Sequence, residues 1–197
     1  MRETIVFASQ NKHKIQEVRD ILKDYNILSL VDIGFDEDIE ENGKTFEENA
    51  IIKSRAIIDY LRDKGLNYKV LSDDTGLCVD ALNGRPGVYS ARYVTDHNDK
   101  KNREKILEEL KNKENRDANF TCVVCLMDID YNYTIGVGKT YGYILTKEYG
   151  DTSFGYDCIF YSNDLNKSFG EATSQEKNSV SHRARAIKNL FNKSGVA

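Results

Sequence analysis

Asp73 and Asp74 stand side by side at the end of a short apolar run, followed at once by Thr75-Gly76 and a second apolar run. Adjacent carboxylates repel each other unless a cation lies close by. Mg²⁺ prefers such hard oxygen ligands, and it commonly arrives with a nucleotide's phosphates. Taken alone, Asp-Asp-Thr-Gly is more simply an Asp-rich turn. Three further polar groups in the chain shift the balance toward chemistry.

The first is Ser9-Gln10-Asn11-Lys12-His13-Lys14, between a predicted strand and a predicted helix. Amide N–H groups and the helix dipole make such a junction an anion site, and Lys14 adds a point charge. It lacks the glycines of a Walker loop and, alone, is an ordinary polar connection. The second is Glu40-Glu41-Asn42-Gly43, ahead of a helix bearing Glu48, Asn49 and Lys53. A carboxylate there can simply favour the positive end of the helix. The third joins Phe154-Gly155-Tyr156-Asp157 to Lys177-Asn178 and Ser181-His182-Arg183. It offers ring faces for stacking, a carboxylate, and donors suited to the edge of a base, although His182 alone would be a helix-cap histidine. The four groups together amount to a phosphate cradle, a carboxylate metal site and a base pocket.

These groups fall at the boundaries of elements that the apolar spacing predicts. Glu3 to Ala8 is a buried strand, and Lys12 to Lys23 an amphipathic helix with Ile15, Val18, Ile21 and Leu22 inward. Thr45 and Glu48 form a capping box that opens a helix to about Leu61. Tyr68 to Ser72 is a strand that exits at Asp73, and Asp99 to Lys113 a charged helix. Ala118 to Asp128 and Tyr133 to Leu145 are longer strands about an Asp130-Tyr131-Asn132 turn, and Ser181 to Phe191 closes the chain as a helix. Strands and helices interleave without strict alternation, which gives α/β with a mixed central sheet and flanking helices. At 197 residues, with no repeat or linker, the chain is expected to be one domain, 1–197.

Composition limits the partners. The net charge of −4 provides no basic field for nucleic acid, so a small nucleotide met by local cations fits better than a duplex. No stretch approaches the roughly 20 apolar residues that span a bilayer. The N-terminal run is too short for a secretory signal, so a cytoplasmic enzyme with no membrane partner is expected. Cys122 and Cys125 form a C-x-x-C, but within a strand they point to opposite faces and cannot converge on one ion. Reduced, packed thiols are expected instead.

In order, the chain carries Glu41 to Ala50 (ENGKTFEENA), Ser72 to Leu77 (SDDTGL), Gly84 to Arg92 (GRPGVYSAR), Phe154 to Asp157 and Ser181 to Arg183. Five ordered motifs of this kind are far more specific than any one of them. In these motifs the chain resembles the Ham1-like inosine triphosphate pyrophosphatases, from Ala8 to Leu190. One departure is plain. The family's first loop usually reads Thr-Gly-Asn-x-Gly-Lys, whereas here both glycines are gone and a hydroxyl, Asn11 and Lys14 are kept. Affinity, rather than reaction type, is where that change would tell.

The resemblance implies two lobes around an active-site cleft and a homodimer. It implies hydrolysis of inosine, deoxyinosine and xanthosine triphosphates to the monophosphate and pyrophosphate, with Mg²⁺ or alternatively Mn²⁺. Glu41, Asp73 and Asp74 would hold the metal, and Asp74 would activate water. Ser9, Gln10, Asn11, Lys12, His13, Lys14, Lys53 and Thr75 would bind phosphate. Phe154, Gly155, Tyr156, Asp157, Lys177, Ser181, His182 and Arg183 would bind the base. Two alternatives stand beside this. One is a Maf-like pyrophosphatase for pyrimidine or modified nucleotides; the other is a non-catalytic nucleotide- or RNA-binding module.

Overall fold

A computed structural model describes residues 2–95, 98–151 and 154–194. In chain order the main elements are β1 (Thr4–Phe7), α1 (Lys12–Ile21), β2 (Asn26–Leu28), α2 (Phe46–Asp63), β3 (Lys69–Val79) and α3 (Asp99–Glu109). They continue with β4 (Asp117–Met127), β5 (Tyr133–Ile144), β6 (Phe160–Ser162), β7 (Lys167–Ser168), α4 (Ser174–Val180) and α5 (His182–Ser194).

The strands form one mixed sheet in the order β2-β1-β3-β4-β5-β6-β7. β1 lies parallel to β2 and to β3, with Ile5 opposite Lys69, Val6 opposite Val70 and Phe7 opposite Leu71. β6 is antiparallel to both β5 and β7. The expected α/β class with a mixed sheet and flanking helices is therefore what the chain forms.

Contacts divide the chain into two compact units. One comprises Met1–Asp74, Val123–Val137 and Arg183–Ala197; the other comprises Thr75–Cys122 and Gly138–His182. In the first, α2 buries Ala50, Ile57, Ile58 and Leu61 with Val6, Val70, Cys125 and Met127. Each Ile or Leu so buried contributes about 1.5–3 kcal/mol. The second has an aromatic core in which Phe120, Phe160 and Phe169 pack with Leu77, Ile106, Leu110 and Ile159.

One strand differs from expectation. β3 does not exit at Ser72 but continues through Asp73-Asp74-Thr75-Gly76 to Val79. Turn-prone residues stay in the strand because both carboxylates are met by long-range partners, described below. The turn follows instead at Asn83 and Gly84, both with positive φ, and Cys78 bridges to Pro86. Cys122 and Cys125 are buried and form no disulfide among the described residues, and burial pushes the Cys125 thiol up to about 11.

Candidate active site

Side chains alternate across a strand, so Asp73 and Asp74 point to opposite faces of the sheet. The contacts of β3 agree with this. Ser72 and Asp74, two apart, both meet α2: Ser72 Oγ donates to the Ala50 carbonyl at 2.6 Å, and Asp74 accepts from Asn49 Nδ2 at 2.9 Å. Ser54 Oγ adds bonds to Ser72 Oγ and the Cys125 carbonyl. These buried hydroxyls lock α2 to the sheet beneath the carboxylates.

Asp73 faces Lys14 and Arg183. Lys14 Nζ lies 3.2 and 3.1 Å from its two oxygens, and Arg183 donates from Nε and Nη2 to Oδ2. Arg183 also pairs with Glu17 of α1. Burial alone would raise the Asp73 carboxyl, but Lys14, Arg183 and Lys53 outweigh it and hold it far below the usual carboxylate range. Expected as a metal ligand, Asp73 thus has both oxygens committed to protein cations.

Asp74 sits in a different environment. Lys53, on α2, places Nζ 4.0 Å from Asp74 and 3.0 Å from Glu41. Burial raises the Asp74 carboxyl, and Glu41 adds to that; Lys53 and the Asn49 hydrogen bond offset part of it. Lys53 is itself buried, which would lower its pKa, yet Asp73, Asp74 and Glu41 raise it on balance. Asn49 completes the arrangement. Its Oδ1 accepts from Gly43 N–H at 2.8 Å while its Nδ2 serves Asp74, so one amide ties the Glu41 loop to the carboxylate. A Cβ at Gly43 would come within 2.6 Å of that Oδ1. Glu48, three residues into α2, is taken by the capping box with Thr45, as the sequence predicts.

Among the described residues no three His, Cys, Asp or Glu side chains gather to hold a metal. Mg²⁺, however, is commonly held by one or two carboxylates together with substrate phosphates. Glu41 and Asp74, facing one ammonium, fit that donor set.

The first loop is self-contained. Asn11 caps α1, its side chain accepting from the His13 and Lys14 N–H groups, while Asn11 N–H donates to Ser9 Oγ. No residue from Ser9 to Lys14 has positive φ, which explains how the loop forms without glycine. Gln10, Lys12 and His13 are exposed, Lys14 is half-buried, and Thr75 is half-buried within β3.

The second unit holds most of the base-binding candidates. Lys177 Nζ pairs with buried Asp157 and lies 5.6 Å from the centre of the half-buried Phe154 ring. Tyr156 is a core residue whose hydroxyl donates to the Ser90 carbonyl at 2.6 Å. His182 is also buried, stacked on Phe120 with ring centroids 5.1 Å apart, and Ser181 is fully buried. Arg183 belongs to the first unit, where it pairs with Asp73 and Glu17. Sequence reasoning gave no role to Glu17, Asn49 as a bridge, Asp99 or Arg103. Only Asn49 had a signal, its place in the Glu41–Ala50 motif.

Residues 5–193 match the family model described as Ham1 family. A dITP/XTP pyrophosphatase of Clostridium perfringens (strain 13 / Type A) is 50% identical over 191 residues, 94% of each chain. One from Bacillus subtilis (strain 168) is 45% identical over 195 residues, 96% of each chain. The Staphylococcus aureus Ham1 protein structure superposes with a TM-score of 0.84 at 40% identity, covering 98% of this chain and 100% of that one. A HAM1 protein structure from Coxiella burnetii gives 0.86 at 37% identity, covering 99% and 100%.

Proposed function

The chain belongs to the Ham1 family, and from that membership we propose that it hydrolyses ITP, dITP and XTP to the monophosphate and pyrophosphate, clearing non-canonical purines from the nucleotide pool. One observation carries this: the Glu41–Lys53–Asp74 cluster, in a chain half identical to a dITP/XTP pyrophosphatase.

Glu41 and Asp74 would hold Mg²⁺, or alternatively Mn²⁺, which when bound supplies charge to the phosphates and acidifies water. Asp74 accepts the proton of the attacking water on a carboxylate oxygen, and burial strengthens it as a base. The water oxygen bonds to the α-phosphorus as the bond to the β-phosphate's bridging oxygen breaks, and pyrophosphate leaves. Such phosphoryl chemistry asks the protein for position and charge rather than covalent bonds. Lys14 and Lys53 supply charge, with Ser9, Gln10, Asn11, Lys12, His13 and Thr75 as further phosphate contacts. Asp73 serves by holding Lys14 and Arg183 in place.

On the base, Phe154 stacks, and Asp157, Lys177, His182 and Arg183 read the polar edge with Gly155, Tyr156 and Ser181 shaping it. A 6-oxo group accepts hydrogen bonds whereas a 6-amino group donates them. A cationic donor left unpaired against adenine costs roughly 1–3 kcal/mol, about 10- to 200-fold. The proposal extends to a single catalytic domain over 1–197, acting as a cytoplasmic homodimer with no nucleic-acid or membrane partner. No helix among the described residues is long and apolar enough to cross a membrane.

Pyrophosphate release measured across purine and pyrimidine triphosphates, with and without Mg²⁺, tests the assignment. Preference for ITP, dITP and XTP is expected. Preference for pyrimidines would point to Maf-like activity, and no metal-dependent release would leave only a binding module.

A further inference from the structure

α3 holds the Phe154–Asp157 turn by its middle peptide. Gly155 adopts φ +56°, in the left-handed region that side-chain-bearing residues seldom occupy. Its N–H donates to Asp99 Oδ2 at 2.8 Å and its carbonyl accepts from Arg103 Nη1 at 2.9 Å. Asp99 and Arg103 are four apart, hence on one face of α3. Arg103 is buried, and its Nε is fixed by Glu148 Oε1 at 2.8 Å. Burying a guanidinium is costly unless its donors are used, and here Nη1 is used on this turn while Nε is used on Glu148. Either side of Gly155, the turn closes with Asp157 N–H donating to the Phe154 carbonyl at 3.1 Å, and Tyr156 anchors it to Ser90. Phe154 and Asp157, the two ends of the turn, both meet Lys177.

We propose that Asp99 and Arg103 are positioning residues that set nucleotide affinity by orienting Phe154 and Asp157 for the base. They touch neither phosphate nor the reacting atoms. This rests on the base-binding role given above to Phe154 and Asp157, and it adds a specific distribution of effects. Loss of the grip loosens the turn, so base-dependent affinity falls while the hydrolytic step and triphosphate recognition stay as they are.

The test compares wild type with Asp99→Ala and Arg103→Lys in the full chain. The measurements are kcat and KM with dITP, inhibition by base-free inorganic tripolyphosphate, and Tm. Asp99→Ala alters only a half-buried residue at the start of α3 and keeps a folded control if Arg103→Lys fails to fold. KM for dITP should rise about 10-fold, the scale of one lost charged hydrogen bond, with kcat within about twofold. Tripolyphosphate inhibition should not change. A fall in kcat at constant KM, equal weakening of dITP and tripolyphosphate, or an unchanged KM in folded Asp99→Ala would each overturn the inference. A wild type that hydrolyses no purine triphosphate would instead overturn the functional assignment, and this inference with it.

Discussion

Arg183 gives two N–H groups, Nε at 3.2 Å and Nη2 at 2.9 Å, to the same oxygen of Asp73. A third, on Nη1, goes to Glu17. The guanidinium thereby joins α5, β3 and α1 within one unit, and it shares with Lys14 the neutralisation of a buried carboxylate.

Arg183→Ala should therefore cost stability as well as base discrimination. Removing one partner of a buried pair typically costs about 3–5 kcal/mol when the other charge is left unpaired, and Lys14, which stays on Asp73, reduces that cost. A clear drop in Tm without nucleotide is expected. The ratio of catalytic efficiencies for ITP over ATP should also fall by about one to two decades. Equal losses with both nucleotides would remove Arg183 from base reading, and an unchanged Tm would show that the ion pair contributes little.

Asp74→Asn should lower kcat at least about 100-fold, the usual worth of a general base or metal-holding carboxylate. Asn keeps the volume and can still accept from Asn49 Nδ2, so folding is preserved. More than half of wild-type turnover on ITP would exclude Asp74 from proton transfer.

Glu41→Gln should raise the Mg²⁺ concentration needed for half-maximal rate and leave base preference alone. A metal-holding carboxylate supplies charge to the ion, and the amide does not. Superimposable Mg²⁺ titrations would reduce Glu41 to a partner of Lys53.

Asn49→Asp should be more damaging than Asn49→Ala. The aspartate turns the donor facing Asp74 into a second acceptor and places two like charges in contact. The alanine only deletes the bridge from Gly43 to Asp74. Loss of a single charge-assisted bond, about 1.5–3 kcal/mol, sets the scale for the alanine variant. Activities in the reverse order would show that the amide's role is merely to fill space.

Glu176 caps α4 and also accepts from Lys167, at 2.7 Å. The Lys167 hydrogen bond, followed by the Thr173 N–H and hydroxyl, lowers its carboxyl from 4.5 to about 2. A depressed folded-state pKa means the cap contributes fully above pH 4.5 and is lost as pH falls toward about 2. Because α4 carries Lys177, the partner of Asp157, loosening there should reach the residues proposed to bind the base. NMR titration of the Glu176 carboxyl should give a midpoint near the lower value. A midpoint near 4.5 would mean that the cap does not persist in solution.

The long elements were legible because their signals are local. Ile57, Ile58 and Leu61 repeat at helical spacing, and Thr45 with Glu48 marks the start of α2. α4 went unread although Thr173 and Glu176 carry the same capping signature, and β2, β6 and β7 are too short for any period to show. The continuation of β3 through Asp73 was illegible for a different reason. Its partners Lys14 and Arg183 lie 59 and 110 positions away, and nothing in Ser-Asp-Asp-Thr-Gly announces them. Similarly, the chain order His182-Arg183 suggests one shared task, whereas the two side chains meet Phe120 and Asp73 respectively.

The opposite aim of Asp73 and Asp74 ties the proposed chemistry to the pairing of β3 with β1. Val6 opposite Val70 and Phe7 opposite Leu71 set which carboxylate meets Lys14 and Arg183 and which meets Asn49 and Lys53. A slip of one residue would turn each to the opposite face of the sheet, because side chains repeat every second position. One carboxylate would then take the other's place while Ser72 or Thr75 filled the place it left, without any change in composition. Substitutions in the apolar β1 strand, whose own side chains take no part in the proposed chemistry, should thus lower turnover where they disturb its register with β3.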